Sequence, residues 1–156
     1  MTTAPANDVT IRPARPDERP GLIELQRRAS LAHEAYREAL LAHPEAVDLP
    51  AEQITDGSVL VAEVDGVVAG FIVVLPLGDG QGELDGLFVE PPLWRRGIGK
   101  ALLEAGEAQL RAQGVTLLAV IGAPEAEAFY AASGFVTVGP EKTLFGPAIR
   151  MHKRLS

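Results

Sequence analysis

GELDGLFVEPPLWRRGIGK, residues 82–100, runs from an apolar strand through a short loop into a glycine-rich turn that opens a helix. That arrangement suits a phosphate. Gly97 and Gly99 lack a Cβ, so the backbone can adopt φ > 0 and turn N–H groups inward. The helix that follows adds unpaired donors and the positive end of its dipole. Arg95, Arg96 and Lys100 flank the turn, and no acidic residue stands between Leu93 and Lys100. A positive segment on a chain of negative overall charge points to an anionic ligand. A dinucleotide fingerprint would need a third glycine where Leu102 stands. A nucleoside-triphosphate loop would need glycine at Trp94 and Ser or Thr at Ala101. Both are excluded, and on these residues alone a plain strand-to-helix turn remains the alternative.

Outward from this turn the chain alternates strand and helix signals. Upstream, Val9–Pro13 reads as a first strand, Asp17 as a helix cap, and Leu22, Ile23, Leu25 and Ala29 as an apolar helical face. A second helix over 31–42 follows, and 44–57 reads as loop with a helical turn. Runs 59–64 and 67–75 are β-rich and separated by Asp65-Gly66, a two-residue hairpin signal; the second run stops at Pro76. The strand over 83–89 is expected to pair antiparallel with the second run. Leu102, Leu103, Ala105, Gly106 and Leu110 give the next helix its buried stripe. A strand over 116–121, a short helix over 124–132 and strands over 135–138 and 149–152 complete the order. Residues 1–8 read as a disordered lead and 9–156 as one domain.

Composition narrows the function classes. The formal charge of −7 argues against nucleic acid as a partner. The longest apolar run is too short to span a bilayer, so no membrane role is expected and the protein is read as soluble and cytoplasmic. The absence of cysteine excludes cysteine nucleophiles, thiolate metal sites and an acyl-cysteine relay. His33, His43 and His152 lack metal-ligand spacing, so no metal is expected. His33 and Tyr36 share a helix face by spacing, as do Glu34 and Glu38.

Downstream of the turn, PEAEAFYAASGFVTVG over 124–139 places Phe129-Tyr130 near the end of a short helix, followed by Gly134-Phe135 and a strand. Together, the two segments resemble the GNAT superfamily of acyl-CoA-dependent N-acetyltransferases. The resemblance covers nearly all of the chain. It implies an α/β fold with a mixed, mainly antiparallel sheet of six to seven strands, flanked by about four helices. It also implies acetyl-CoA as co-substrate, bound where two central strands splay apart. By resemblance, Leu87, Phe88 and Val89 pair with the pantetheine arm, and Arg95, Arg96, Gly97, Ile98, Gly99 and Lys100 hold the diphosphate. Tyr130 protonates the departing thiolate, and Glu83 or Asp85 assists deprotonation of the amine. A backbone N–H near Val89 polarises the thioester.

Two positions depart from the family pattern. Trp94 stands where Gln or Arg is usual, which assigns it to packing, and Ala123 stands where Asn is frequent. The expected reaction is direct transfer of an acetyl group to a primary amine of a small molecule within a ternary complex. A protein N-terminus or lysine as acceptor, and a non-catalytic acyl-CoA sensor, stay open as alternatives. A homodimer is expected by family habit only.

Overall fold

The computed structural model describes residues 9–143 and 146–155, with the side chains of 34–36 also outside the described set. The lead expected over 1–8, and the side chains of Glu34 and Tyr36, therefore lie outside the described residues. Seven strands form a sheet in the order β1-β2-β3-β4-β5-β7-β6. They are β1 (Val9–Pro13), β2 (Val59–Val64), β3 (Val67–Gly78), β4 (Gln81–Val89), β5 (Leu117–Gly122), β6 (Val136–Thr143) and β7 (Gly146–Arg154). Five α-helices accompany them: α1 (Arg19–Leu31), α2 (Glu34–Ala42), α3 (Ala51–Thr55), α4 (Ile98–Ala112) and α5 (Glu127–Ala132). The sheet is mixed. β1/β2, β2/β3, β5/β7 and β6/β7 are antiparallel, and β4/β5 is parallel. A parallel pair needs a crossover, which α4 supplies.

Backbone packing divides the chain into two compact units, residues 1–73 with 86–106 and residues 74–85 with 107–156. In the first, β1, β2 and the start of β3 carry the apolar residues. Val59, Val61, Ala62, Phe71 and Ile72 are fully buried, and α1 adds Leu22, Leu25 and Ala29 at i, i+3 and i+7. Each large side chain so buried stabilises the fold by about 1.5–3 kcal/mol before its ordering entropy is subtracted. Arg12 on β1 reaches Glu63 on β2 and Glu18 ahead of α1 at 2.6 Å each. Glu18 also accepts the Arg15 N–H at 2.8 Å, so Glu18 rather than Asp17 organises this helix start. Asp17 sits inside the 3-10 turn Pro16–Glu18.

In the second unit, Leu118 and Val120 on β5, Met151 on β7 and Leu110 on α4 are buried. Glu107 is buried too, at 3 % exposure. Lys153 meets both its carboxylate oxygens at 2.9 Å and donates to the Ser133 carbonyl at 2.7 Å. The ion pair is therefore fully hydrogen-bonded, as a buried charge requires.

Several elements differ from the sequence reading for identifiable reasons. β3 runs past Pro76 to Gly78, because its ladder with β2 ends at Val59↔Val73 and Pro76 needs no donor on that side. A second turn, Asp79-Gly80, then links β3 to β4 with φ 55° and 76°, matching the 53° and 79° of Asp65-Gly66. Two consecutive positive values are the signature of a type I′ turn. The helical turn read within 44–57 is α3, held by Ile54 at 5 % exposure.

Candidate active site

In the first unit the end of β4 and the start of α4 form the cofactor candidate. A 3-10 turn, Pro91–Leu93, reverses the chain after β4, and Trp94, Arg95, Arg96 and Gly97 lead into α4. Gly97 has φ 84°, a conformation that costs an L side chain about 1–2 kcal/mol. Its carbonyl accepts the Ala101 N–H at 3.0 Å, so Gly97 is the helix N-cap. By helix geometry the N–H groups of Gly97, Ile98, Gly99 and Lys100 then have no intrahelical acceptor. Ile98, 2 % exposed, anchors this first turn in the core.

One expectation is corrected here. Gly99 is not in the positive-φ region but stands second in α4, and the other left-handed residue is Arg95, at φ 67°. A non-glycine residue held there stores strain, which concentrates at functional sites. Arg95, Arg96 and Lys100 are exposed, and among the described residues none has an ion-pair or hydrogen-bond partner.

The strand end is held closely. A Cβ at Gly70 would lie 2.7 Å from the Phe88 carbonyl, so only glycine permits this approach of β3 and β4. Phe88 packs its ring against Phe71, centroids 5.3 Å apart. The Glu90 N–H donates to the Ala69 carbonyl on β3 at 2.9 Å. By strand alternation, Leu87 and Val89 turn their backbone groups to the edge away from β3. On that edge the Val89 carbonyl accepts the Trp94 indole N–H at 2.7 Å. Trp94 also stacks on His33, centroids 5.3 Å apart and 25° between planes, and Arg28 grips the Glu90 carboxylate at 3.0 and 2.6 Å. Sequence reasoning assigned Trp94 to packing and missed its donor contact. The available signal was the preference of an indole N–H for an acceptor within reach.

The second unit holds the candidate acid and bases. β4 alternates buried Gly82 and Leu84 with Glu83 and Asp85, so both carboxylates share a face. Glu83 is half-buried and Asp85 exposed, and among the described residues neither has a hydrogen-bond or ion-pair partner. The ladder with β5 ends one residue beyond Glu83, at Leu84↔Val120. β5 continues to Gly122, where a Cβ would stand 3.2 Å from the Tyr130 ring. Glu83 is registered with Ala119, three residues or about 10 Å of strand before Gly122, so by alternation positions 83 and 122 face opposite sides of the sheet.

Tyr130 is 7 % exposed, set edge-on between Phe129 and Phe135 at 5.1 and 5.3 Å. Burial pushes its phenol pKa upward, so the hydroxyl stays protonated at neutral pH. Its hydroxyl has no hydrogen-bond partner among the described residues. Among the described residues no three metal-binding side chains cluster, and no helix is long and apolar enough to cross a membrane.

The described residues thus form a seven-stranded mixed sheet with a glycine N-cap turn after β4 and a buried tyrosine after β5. The family model described as Acetyltransferase (GNAT) family matches residues 25–135, and the chain belongs to that family. The chain is 43% identical over 84 residues to a mycothiol acetyltransferase of Kineococcus radiotolerans, covering 51% of this chain and 28% of that protein. The match thus spans under a third of that relative. Among solved structures, the PaiA N-acetyltransferase of Thermoplasma acidophilum in complex with coenzyme A superposes with TM-score 0.77. It has 22% identity and covers 94% of this chain and 98% of that one. The ribosomal-protein-S18-alanine N-acetyltransferase of Escherichia coli follows with TM-score 0.70, 22% identity and coverage of 95% and 94%. At these identities the structural likeness shows the fold.

Proposed function

We propose that this acetyltransferase moves an acetyl group from acetyl-CoA to a primary amine of a small molecule, directly and within a ternary complex. The observation that carries the donor is the turn before α4. Three cations without a partner among the described residues and a set of helix N-terminal donors flank a glycine N-cap, which is what a diphosphate requires. Arg95, Arg96 and Lys100 supply charge, while Gly97, Ile98 and Gly99 supply backbone donors. Leu87 and Val89 present backbone groups to the pantetheine arm, and the Phe88 ring backs the strand. The coenzyme contributes the thioester, an activated acyl group with a thiolate leaving group.

The remaining chemistry falls to side chains. Glu83, with Asp85 beside it, accepts the proton from the attacking amine, directly or through water. The amine nitrogen bonds to the acyl carbon while the Val89 N–H supports the oxyanion. As the carbon–sulfur bond breaks, Tyr130 gives its proton to the sulfur and is reprotonated from solvent. A small-molecule acceptor is supported by the 43% identical stretch shared with a mycothiol acetyltransferase.

The test is thiol release from acetyl-CoA, followed with an aromatic disulfide reagent, across amino sugars, polyamines, amino acids, aryl amines and short peptides. The chain has no cysteine, so there is no protein background. Release driven by a small amine, with the product heavier by one acetyl group, is the expected result. Release driven only by peptides would move the acceptor to protein. Binding of acetyl-CoA with no release from any amine would favour a sensor.

A further inference from the structure

We infer that Trp94 is a positioning residue of the cofactor site, acting through the Val89–Glu90 peptide. This deepens the acetyl-CoA reading given above and rests on it. That peptide is held from both ends. Its carbonyl accepts the Trp94 indole N–H at 2.7 Å, and its N–H donates to the Ala69 carbonyl at 2.9 Å. It cannot rotate without losing one bond or both. The residue after it is fixed as well, since Arg28 holds the Glu90 carboxylate through two hydrogen bonds of 3.0 and 2.6 Å. The indole itself is set by the His33 ring stacked on it at 5.3 Å.

Two consequences follow. The Val89 carbonyl is already engaged, so an extended ligand arm laid along this edge meets the Leu87 carbonyl and the Val89 N–H instead. The torsions that aim the Val89 N–H are also constrained by the peptide just beyond it, so the donor is preorganised rather than ordered on binding. Trp94 is in addition the immediate neighbour of the strained Arg95, at φ 67°, and so ties the strand end to the cationic turn.

Trp94 is the chain's single tryptophan, which gives the test a native reporter. Acetyl-CoA affinity is measured by calorimetry for the full chain, for Trp94→Phe and for His33→Ala, with the melting temperature of each unliganded protein. In the parent chain, binding should be measurable and should change the Trp94 emission. Trp94→Phe keeps an aromatic ring and removes the N–H, and should weaken acetyl-CoA binding about fivefold, the value of one ordinary hydrogen bond. His33→Ala keeps the N–H and removes the stack, and should shift the emission and weaken binding by about twofold to threefold. A purely structural tryptophan would lower the melting temperature and leave affinity untouched. Unchanged affinity in both variants, or unaltered emission on binding that calorimetry records, overturns the inference while leaving the acetyl-CoA reading standing. Absence of acetyl-CoA binding by the parent chain overturns both.

Discussion

Gly97→Ala isolates the backbone geometry on which the cofactor turn depends. Gly97 holds φ 84°, and a Cβ built there meets nothing within 4 Å, so the substitution introduces strain without a clash. Left-handed backbone costs an alanine about 1–2 kcal/mol. Replacing glycine also stiffens the unfolded chain, which returns about 0.4–1 kcal/mol. The turn cannot relax cheaply, because Ile98 is anchored at 2 % exposure and the Gly97 carbonyl carries the first helical bond at 3.0 Å. The net expectation is a loss of up to about 1.6 kcal/mol, centred near about 0.8 kcal/mol, or a melting temperature lower by about 2–3 °C at that centre in a chain of this size. Urea unfolding measures the first quantity and a thermal scan the second. Gly97→Asn should cost less, since asparagine tolerates the left-handed region. Acetyl-CoA affinity should fall in the alanine variant, as any relief of strain turns the N–H groups of the turn. Equal or higher stability with unaltered affinity would refute the reasoning, because it would mean that the turn does not need a positive φ.

Other outcomes follow from the charge networks. The Arg12 guanidinium holds the Glu18 carboxyl down at about 2, against an ordinary 4.5, and burial opposes this without cancelling it. A lowered folded-state pKa adds stability that is complete above about 4.5 and is lost as pH falls toward 2. The shift corresponds to at most about 3 kcal/mol, reduced to about 1–2 kcal/mol by solvent screening. Glu18→Gln should therefore be less stable at neutral pH and show a flatter acid limb in urea titrations between pH 5 and 2. Among the described residues, Lys153→Ala leaves buried Glu107 only the Arg111 contact at 3.7 Å, and should cost about 2–4 kcal/mol in urea unfolding. The double replacement Glu107→Leu with Lys153→Met should recover most of that loss, because it removes the stranded charge as well.

Local turn chemistry was legible in the sequence, and long-range partners were not. Asp65-Gly66 announced its hairpin, since an acidic residue before glycine favours the two positive φ values that a type I′ turn needs. Its twin at Asp79-Gly80 was obscured by Pro76, which reads as a strand end unless the neighbouring ladder is known to stop at Val73. The glycine turn before α4 was readable as a strand-to-helix turn from its glycines and its position. Which residues carry its left-handed conformations was not: Arg95 takes one that composition would assign to Gly99. The pairing of Lys153 with Glu107, 46 residues apart, has no local signal at all. Trp94 and Val89 are only five residues apart, yet their bond depends on the Pro91–Leu93 turn folding the ring back over the strand end. Burial of Tyr130 between Phe129 and Phe135 was readable only as an alternative to catalysis, and the fold makes that ring a core element.

The most direct measurement is the turnover of Tyr130→Phe against the parent chain, in the thiol-release assay with whichever amine the panel identifies. The hydroxyl has no partner among the described residues, so its removal should leave the melting temperature within about 2 °C and acetyl-CoA affinity within about twofold. Loss of a general acid should lower kcat by about 100-fold or more. Full turnover in the variant, with affinity and stability intact, would contradict the assignment of Tyr130 as the proton donor.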